Sequence, residues 1–461
     1  MAAVSQRLWA PRAWIGGRWR ERVLLVVGDD GCWDEVAPDV AAPENAAAID
    51  GPVLPGLVDA HSHAFQRAFA GLAERRDAAH DDFWSWRDRM YGVAVRVTPE
   101  QLRAIAAHLY VELLAGGYTH VCEFHYLQHD VDGRPYADPA TLSHALVDAA
   151  AEAGIGLTLL PVLYERAGFT ARALRPDQRR FATSVDDVLA LQQAVRGPLV
   201  NAGVAVHSLR AARPESLLAL AARSRGPLHM HVAEQTAEVD DCLAATGCRP
   251  IEWLARHAPL DARWHLVHAT HSVPAEIEAV AAKGAGVVLC PGTEGNLGDG
   301  LCDLPGWLAA GVPLAIGSDS QVTRAWPEEL RWLECGQRVA LHRRNVAAAP
   351  ETEPSTAARL FERMLAGGGA AAGFERWGLQ RGARADVLVV DTREPALRGL
   401  PADHVLDGIV FTAPARPFAR VMVAGRWRPL RDGSIADRFD AAMHALWPPA
   451  GPPARRKGDR G

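Results

Sequence analysis

Residues 54–63 read Leu-Pro-Gly-Leu-Val-Asp-Ala-His-Ser-His, a short apolar run that ends in two histidines one residue apart. A Pro-Gly turn followed by four to eight mainly apolar residues is typical of a buried β-strand. Seven similar runs follow, and helix-compatible sequence such as 99–114 or 214–222 succeeds them. The eight predicted strand segments are 58–63, 119–125, 156–164, 203–207, 228–233, 264–269, 286–291 and 312–319.

This alternation of strands and helices predicts an α/β protein built on a (β/α)8 barrel of the TIM type. A doubly wound open sheet would also alternate strands and helices, but no phosphate-binding glycine motif follows any of the runs. The barrel is therefore the favoured fold. β-like runs return at both ends of the chain, in 7–55 and again in 385–390 and 421–427, and they predict a small β-sandwich domain assembled from the two ends.

Four segments follow from this organisation. We expect residues 1–55 and 379–435 to form the two parts of the small β domain and residues 56–378 to form the barrel. Residues 436–461 should be a C-terminal helix and a flexible tail, because the sequence from Pro448 onward is rich in Pro, Gly and Arg.

Composition excludes several classes of function. The 49 basic and 55 acidic residues leave a net charge of −6, which gives no electrostatic reason to bind nucleic acid or an anionic membrane. No apolar run approaches the ~20 residues of a membrane span, and no signal-peptide core is present. Seven scattered cysteines suit a reducing compartment. We expect a cytoplasmic protein that acts on a small molecule.

Metal-capable side chains gather where the predicted strands end. His61 and His63 are two residues apart, so they lie on the same face of a strand. Each remaining candidate has an ordinary structural interpretation, as a core histidine or a helix cap, but barrel enzymes place their sites at this end of the strands. The spacing alone does not choose between alternatives in the fifth and sixth segments. The remaining candidates are His229, His231, His265, His268, His271 and Asp319.

Imidazole and carboxylate ligands without thiolate favour a catalytic divalent metal, Zn²⁺ with Fe²⁺ as the alternative. Such an ion lowers the pKa of bound water from ~15.7 towards ~7. Lys283 and Lys457 are the only lysines, and neither ends a predicted strand, so no lysine is placed to bridge two ions. One ion is therefore expected.

The set His61, His63, His231, His268 and Asp319 resembles the amidohydrolase superfamily, in its mononuclear deaminase branch. More specifically, several segments are similar to the formimidoylglutamate deiminases of bacterial histidine degradation. The likeness extends from about Trp14 to about Trp427. The segments that carry it are 55–74, 81–91, 123–130, 159–169 and 204–211.

The resemblance implies a role for each matching residue. It places the metal on His61, His63, His231 and Asp319, makes Glu234 the proton shuttle, and makes His268 the contact to the attacking hydroxide. It also implies a homodimer. The substrate-binding residues that it implies are Gln66, Arg87, Tyr126, His207 and Arg210.

The implied reaction converts N-formimino-L-glutamate and water to N-formyl-L-glutamate and ammonia. Asp319 would help to deprotonate the metal-activated water, and Glu234 would protonate the departing nitrogen. The two carboxylates of this dianionic substrate require fixed cations, a need that Arg87 and Arg210 can meet. We expect Phe83, Trp84 and Trp86 to pack the loop that presents Arg87.

Two alternatives remain at this point. The first is a deaminase of another amidine-like substrate or a purine, for which aromatic and amide contacts would replace paired arginines. The second is a non-catalytic scaffold, which the complete set of metal ligands disfavours.

Overall fold

The computed structural model describes residues 6–76, 81–414 and 416–448. The flexible tail predicted from Pro448 onward lies outside these residues, apart from Pro448 itself. The strands are β1 (Gln6–Ile15), β2 (Arg18–Val27), β3 (Trp33–Ala37), β4 (Ala47–Ala48), β5 (Val53–Leu54), β6 (Leu57–Ser62), β7 (Tyr118–His125), β8 (Gly156–Leu163), β9 (Val200–Ala202), β10 (Val204–Val206), β11 (Leu228–Val232), β12 (Trp264–His268), β13 (Gly286–Leu289), β14 (Leu314–Ile316), β15 (Val387–Val390), β16 (Phe418–Val423) and β17 (Arg426–Arg428).

The helices connect and flank these strands. They are α1 (Phe83–Ala94), α2 (Pro99–Ala115), α3 (Thr141–Ala153), α4 (Val185–Ala194), α5 (Pro214–Arg223), α6 (Thr236–Thr246), α7 (Pro250–His257), α8 (Pro274–Lys283), α9 (Pro291–Leu297), α10 (Leu304–Ala309), α11 (Trp326–Leu341), α12 (Thr356–Ala371), α13 (Val405–Phe411) and α14 (Gly433–Leu446). Short 3₁₀ turns span Ala64–Ala68, Pro176–Phe181, Pro395–Leu397 and Ala402–His404.

Eight parallel strands form the barrel, in the order β6, β7, β8, β10, β11, β12, β13 and β14, with β9 beside β8. The last strand returns to the first, because the Asp319 N–H donates to the His61 carbonyl (2.9 Å) and the His63 N–H donates to the Asp319 carbonyl (3.2 Å). Each of the eight predicted segments overlaps one of these strands. The (β/α)8 prediction is confirmed.

Sequence signals mark the start of the helices as expected. At α2, Thr98 accepts from the Gln101 N–H (3.2 Å), the Gln101 side chain accepts from the Thr98 N–H (3.0 Å), and Pro99 opens the helix. Strand β6 is buried along its whole length, since helices cover the outside of a parallel barrel.

The segment that carries Arg87 differs from the prediction. It was expected to be a loop, and this was wrong, because residues Phe83–Ala94 form helix α1. The Asp82 carboxylate caps this helix by accepting from the Trp84 and Ser85 N–H groups (3.0 and 3.1 Å), and the Ser85 hydroxyl accepts from the Asp82 N–H (2.9 Å). The cap explains why a helix begins at this aromatic-rich sequence.

The two chain ends meet in a second sheet of eight strands. Its order is β17, β16, β15, β5, β1, β2 and β3, with β4 paired to β1. This sheet has its own hydrophobic cluster, which includes Leu25, Trp33, Val53 and Val389. The predicted pairing of the two chain ends is confirmed, whereas the domain boundaries at 55, 378 and 435 stay a prediction.

Among the described helices, none combines the length and the apolar character needed to cross a lipid bilayer.

Candidate active site

Four candidate metal ligands converge at the carboxyl ends of three barrel strands. His61 and His63 lie at the end of β6, His231 lies in β11, and Asp319 follows β14. Asp319 has a left-handed backbone (φ 47°), a conformation that costs a non-glycine residue roughly 1–3 kcal/mol and that often marks functional sites. All four side chains are almost completely buried.

The ligand atoms of these residues lie close together. The Nε2 atoms of His61 and His231 are 3.0 Å apart, and Asp319 Oδ1 lies 3.5 Å from His61 Nε2 and 3.4 Å from His63 Nε2. Four atoms held at 2.0–2.1 Å around one ion would be about 3.3 Å apart in a tetrahedron. The separations between His61 and His231, between His61 and Asp319, and between His63 and Asp319 therefore match the spacing of metal ligands.

The hydrogen bonds that His63 and His231 make through Nδ1 support the same conclusion. Nδ1 of His63 donates to the Phe124 carbonyl (2.9 Å), and Nδ1 of His231 donates to the His207 carbonyl (2.9 Å). A neutral imidazole with its proton on Nδ1 has a lone pair on Nε2. The Nε2 lone pairs of His63 and His231 are thus free to bind a cation, and His63 Nε2 faces Asp319 Oδ1 at 3.4 Å.

The charge states of the ligands also fit a cation. Burial lowers the pKa of His61 and lowers the pKa of His63 to about 3, so both are neutral near pH 7. Burial alone would raise the pKa of Asp319, but a hydrogen bond from His61 and the other nearby histidines hold it below its usual range. Neutral imidazoles and an ionised carboxylate are the charge states that bind a divalent cation.

Buried carboxylates hold strand β6 in position from behind. Asp59 accepts from the Ser318 N–H (2.9 Å) and hydroxyl (2.5 Å), which ties β6 to the residues after β14. Glu123 accepts from the Ser62 hydroxyl (2.8 Å) and the Ala64 N–H (2.6 Å), which ties β6 to β7. Neither carboxylate was predicted as part of the site, although each occurs within a buried strand, where an acidic residue is unusual.

His268 lies next to the ligand cluster and contacts three carboxylates. Its Nε2 is 3.7 Å from Glu234 Oε1 and 3.9 Å from Asp319 Oδ2, and its Nδ1 is 3.3 Å from Glu294 Oε1. Burial alone would lower the pKa of His268, but these carboxylates raise it. Glu294, which also accepts from the Cys290 N–H (2.8 Å), was not predicted.

Glu234 faces both His268 and the predicted substrate-binding side chains. Burial raises the pKa of its carboxyl group, while the charges of His268 and Arg210 oppose that rise. The Glu234 carboxyl group can therefore exist in both protonation states near neutral pH, which suits a group that transfers protons.

A narrow cavity of about 40 Å³ lies above the cluster. It is lined by every predicted substrate-binding residue, together with His63, His231, Glu234, His268 and Asp319, while His61 lies beneath. Side chains that were not predicted also contribute. These are Phe83, Trp86, Met90, Tyr91 and Leu297.

Within the described part of the chain, several polar atoms of the substrate-binding candidates have no protein hydrogen-bond partner and are available to bind substrate. Gln66 Nε2 donates to the Tyr126 hydroxyl (3.1 Å), but Gln66 Oε1 has no protein partner there. Arg87 Nε and Arg210 Nη1 are also buried without a protein acceptor. The two guanidinium groups lie 4.4 Å and 5.6 Å from the Trp84 ring centre, so they approach the cavity from the same side.

The structure shows which of the candidate histidines lie at the ligand cluster, a distinction that spacing alone could not make. His229 Nε2 donates to the Ala371 carbonyl (2.9 Å), at the end of α12, and its ring lies 5.0 Å from the His265 ring at a tilt of 41°. His271 is half-buried beyond β12 and does not line the cavity. His231 and His268 are thus the histidines that join the cluster.

Comparison with known proteins agrees with this fold. Residues 53–428 match the amidohydrolase family, and the chain belongs to that family. It is 46% identical over 435 residues to a formimidoylglutamate deiminase of Pseudomonas aeruginosa, which covers 93% of this chain and 95% of that protein.

Solved structures show the same architecture. A crystal structure of an amidohydrolase from Brucella melitensis superposes with a TM-score of 0.90 at 40% identity, and the match covers 96% of this chain and 99% of that one. An adenosine deaminase from Xanthomonas campestris with bound zinc superposes with a TM-score of 0.77 at 22% identity, over 96% and 98% of the two chains, and shows the fold alone.

Proposed function

We propose that this protein hydrolyses the C–N bond of N-formimino-L-glutamate, releasing ammonia and N-formyl-L-glutamate. The observation that carries the proposal is a single cavity that combines a histidine–aspartate cluster, a proton-transfer pair and two arginines. Similarity to the Pseudomonas aeruginosa deiminase over nearly the whole chain supports the same substrate.

One divalent ion, Zn²⁺ with Fe²⁺ as the alternative, fits His61, His63, His231 and Asp319. When bound, it supplies Lewis acidity that lowers the pKa of a water molecule towards ~7. The chain itself contributes neutral imidazoles, an ionised aspartate and a buried surrounding.

Proton transfer belongs to the side chains around His268. Asp319 Oδ2 lies 3.9 Å from His268 Nε2, so both can contact the oxygen that attacks the formimino carbon. Asp319 accepts a proton from the attacking water, and His268 donates a hydrogen bond to its oxygen. Glu234 delivers one proton to the amidine nitrogen, and the proton held by Asp319 is the second that this nitrogen receives. As the C–N bond breaks and ammonia leaves, the hydroxyl proton of the tetrahedral adduct passes to Glu234, so both carboxyl groups return to their starting states.

Arg87 and Arg210 hold the carboxylates of the substrate. A guanidinium group binds a carboxylate through two parallel hydrogen bonds, and the apolar lining from Phe83, Trp86 and Met90 strengthens these contacts by excluding water. A purine would leave both cations without an anionic partner.

Ammonia release separates the two candidate reactions. We expect the purified, metal-loaded chain to release ammonia from N-formimino-L-glutamate and not from guanine or adenosine. Activity on purines alone would overturn the proposal. Changing Asp319→Asn should abolish turnover, because an amide does not accept the proton of the attacking water.

The resemblance to formimidoylglutamate deiminases also supports a homodimer in the cytoplasm. Light scattering of the purified chain would measure its mass in solution, and a monomer at all concentrations would contradict this assembly.

A further inference from the structure

Two tyrosine hydroxyls beside the cavity share one amide donor. Gln178 is buried, and its Nε2 donates to the Tyr91 hydroxyl (3.1 Å) and to the Tyr164 hydroxyl (3.0 Å). Its Oε1 accepts from the backbone N–H of Arg175 (3.0 Å). A backbone N–H only donates, so this contact fixes which end of the amide faces the tyrosines.

Counting protons shows that one hydroxyl hydrogen is left over. Each tyrosine oxygen accepts an N–H from Gln178, so each tyrosine still has its own O–H to donate. The two oxygens are 3.5 Å apart, which allows at most one of these O–H groups to bond to the other. Among the described residues no other acceptor contacts either hydroxyl, and both side chains are 3–4% exposed.

The position of the two rings decides which hydrogen is free. Tyr91 lines the cavity, whereas Tyr164 lies behind it and packs against the His207 ring at 4.4 Å. The consistent arrangement has Tyr164 donating to Tyr91, and Tyr91 donating into the cavity. The Arg87 guanidinium lies 5.5 Å from the Tyr91 ring centre, so the acceptor that this corner favours is an anion.

We propose that Tyr91 is a substrate-binding residue whose hydroxyl donates to a carboxylate of the substrate, and that Gln178 is the positioning residue that aims it. This inference rests on the proposed function and extends it. Tyr91 adds a neutral, directional donor to the two arginines. Because its oxygen already accepts from Gln178 and, in this arrangement, from Tyr164, it does not accept from the N–H groups of a carboxamide, and a carboxylate is favoured.

Substituting Tyr91→Phe removes the hydroxyl and keeps the ring. Because a hydrogen bond to a charged group is lost, we expect the KM for N-formimino-L-glutamate to rise roughly 10- to 100-fold, with a smaller change in kcat. Tyr136→Phe is the matched control, since the Tyr136 hydroxyl bonds to Asp130 (3.2 Å) away from the cavity, and it should leave KM unchanged.

Two truncated substrates separate binding from a structural role. N-formimino-4-aminobutyrate lacks the α-carboxylate, and N-formimino-L-glutamine replaces the side-chain carboxylate by an amide. The penalty of Tyr91→Phe should disappear with the analogue that lacks the carboxylate touched by Tyr91 and persist with the other.

An unchanged KM in Tyr91→Phe, or an equal penalty with all three substrates, would overturn this inference while leaving the proposed function intact. A native chain that releases no ammonia from N-formimino-L-glutamate would overturn both. The thermal midpoint of each variant shows that the comparison is made on folded protein.

Discussion

At the scale of single residues, identical functional groups acquire different chemistry from their surroundings. Asp319 receives hydrogen-bond and charge stabilisation from histidines, so its carboxylate stays ionised and able to bind a cation. Glu234 is buried with weaker compensation, so its pKa is raised. The same cavity thus holds one permanent base and one group that can give up a proton, which is the combination that deimination needs.

Replacing Glu234 tests this division of roles. Glu234→Gln keeps the size of the side chain but cannot deliver a proton, so kcat should fall roughly 10²- to 10⁴-fold. The bound metal per chain should be unchanged, because Glu234 is outside the predicted ligand set. Steady-state kinetics and metal analysis measure the two quantities. Glu215→Gln, on the exposed surface of α5, should behave as the native chain, and appreciable activity of Glu234→Gln would assign the proton to another group.

At the scale of elements, the sequence predicted the strands better than the contacts between them. Apolar runs bounded by turns located all eight barrel strands, because burial of a parallel strand shows directly in its composition. His229 bonds to the end of α12, whereas His231 joins the cluster. The spacing did not predict this difference, because both histidines belong to one strand and are separated by a single residue. Family resemblance made that choice. Helix α1 was not predicted, because its start depends on the Asp82 cap, which precedes an aromatic-rich sequence.

The contact between β14 and β6 depends on a glycine. A Cβ on Gly317 would lie 2.7 Å from the Cβ and carbonyl oxygen of His61, closer than real atoms approach. Gly317→Ala should therefore displace His61 and weaken zinc binding roughly 10- to 100-fold. Titration with a competing chelator measures the affinity. Gly168→Ala, where a Cβ has open space, is the control, and equal zinc affinity in both variants would contradict this view of the strand contact.

Helix α1 carries Arg87 and Tyr91, so its stability should affect substrate binding. Asp82→Ala removes the cap and costs about 0.5–2 kcal/mol of helix stability. We expect a raised KM with a smaller change in kcat. Asp432→Ala removes the equivalent cap of α14, where Asp432 accepts from the Ile435 N–H (3.0 Å) far from the cavity lining. Both variants should lower the thermal midpoint slightly. A KM that rises equally in both would show that α1 has no special role.

At the scale of the whole molecule, the barrel uses buried histidines in two different ways. In the cluster near Asp319 the imidazoles contact carboxylates: His61 and His63 contact Asp319, and His268 contacts Glu234 and Glu294. His229 and His265 instead lie together, and no carboxylate in the described part of the chain contacts either of them. Burial lowers their pKa values to about 3 and about 4. These two imidazoles are neutral core groups, and they link the stability of the barrel to pH rather than to the reaction.

The sign of this link follows from proton binding. A histidine whose folded pKa is depressed binds fewer protons in the folded than in the unfolded state, where its pKa is about 6.5. The stability that neutral His265 contributes is complete above pH 6.5 and is lost as pH falls towards 4, by up to about 1.4 kcal/mol per pH unit. His265→Gln removes this group. We therefore expect the drop in thermal midpoint between pH 7.5 and pH 5.5 to be smaller in His265→Gln than in the native chain, as measured by scanning calorimetry. His444→Gln, an exposed histidine of α14, should show the native drop. An equal drop in all three proteins would mean that His265 does not couple protonation to folding.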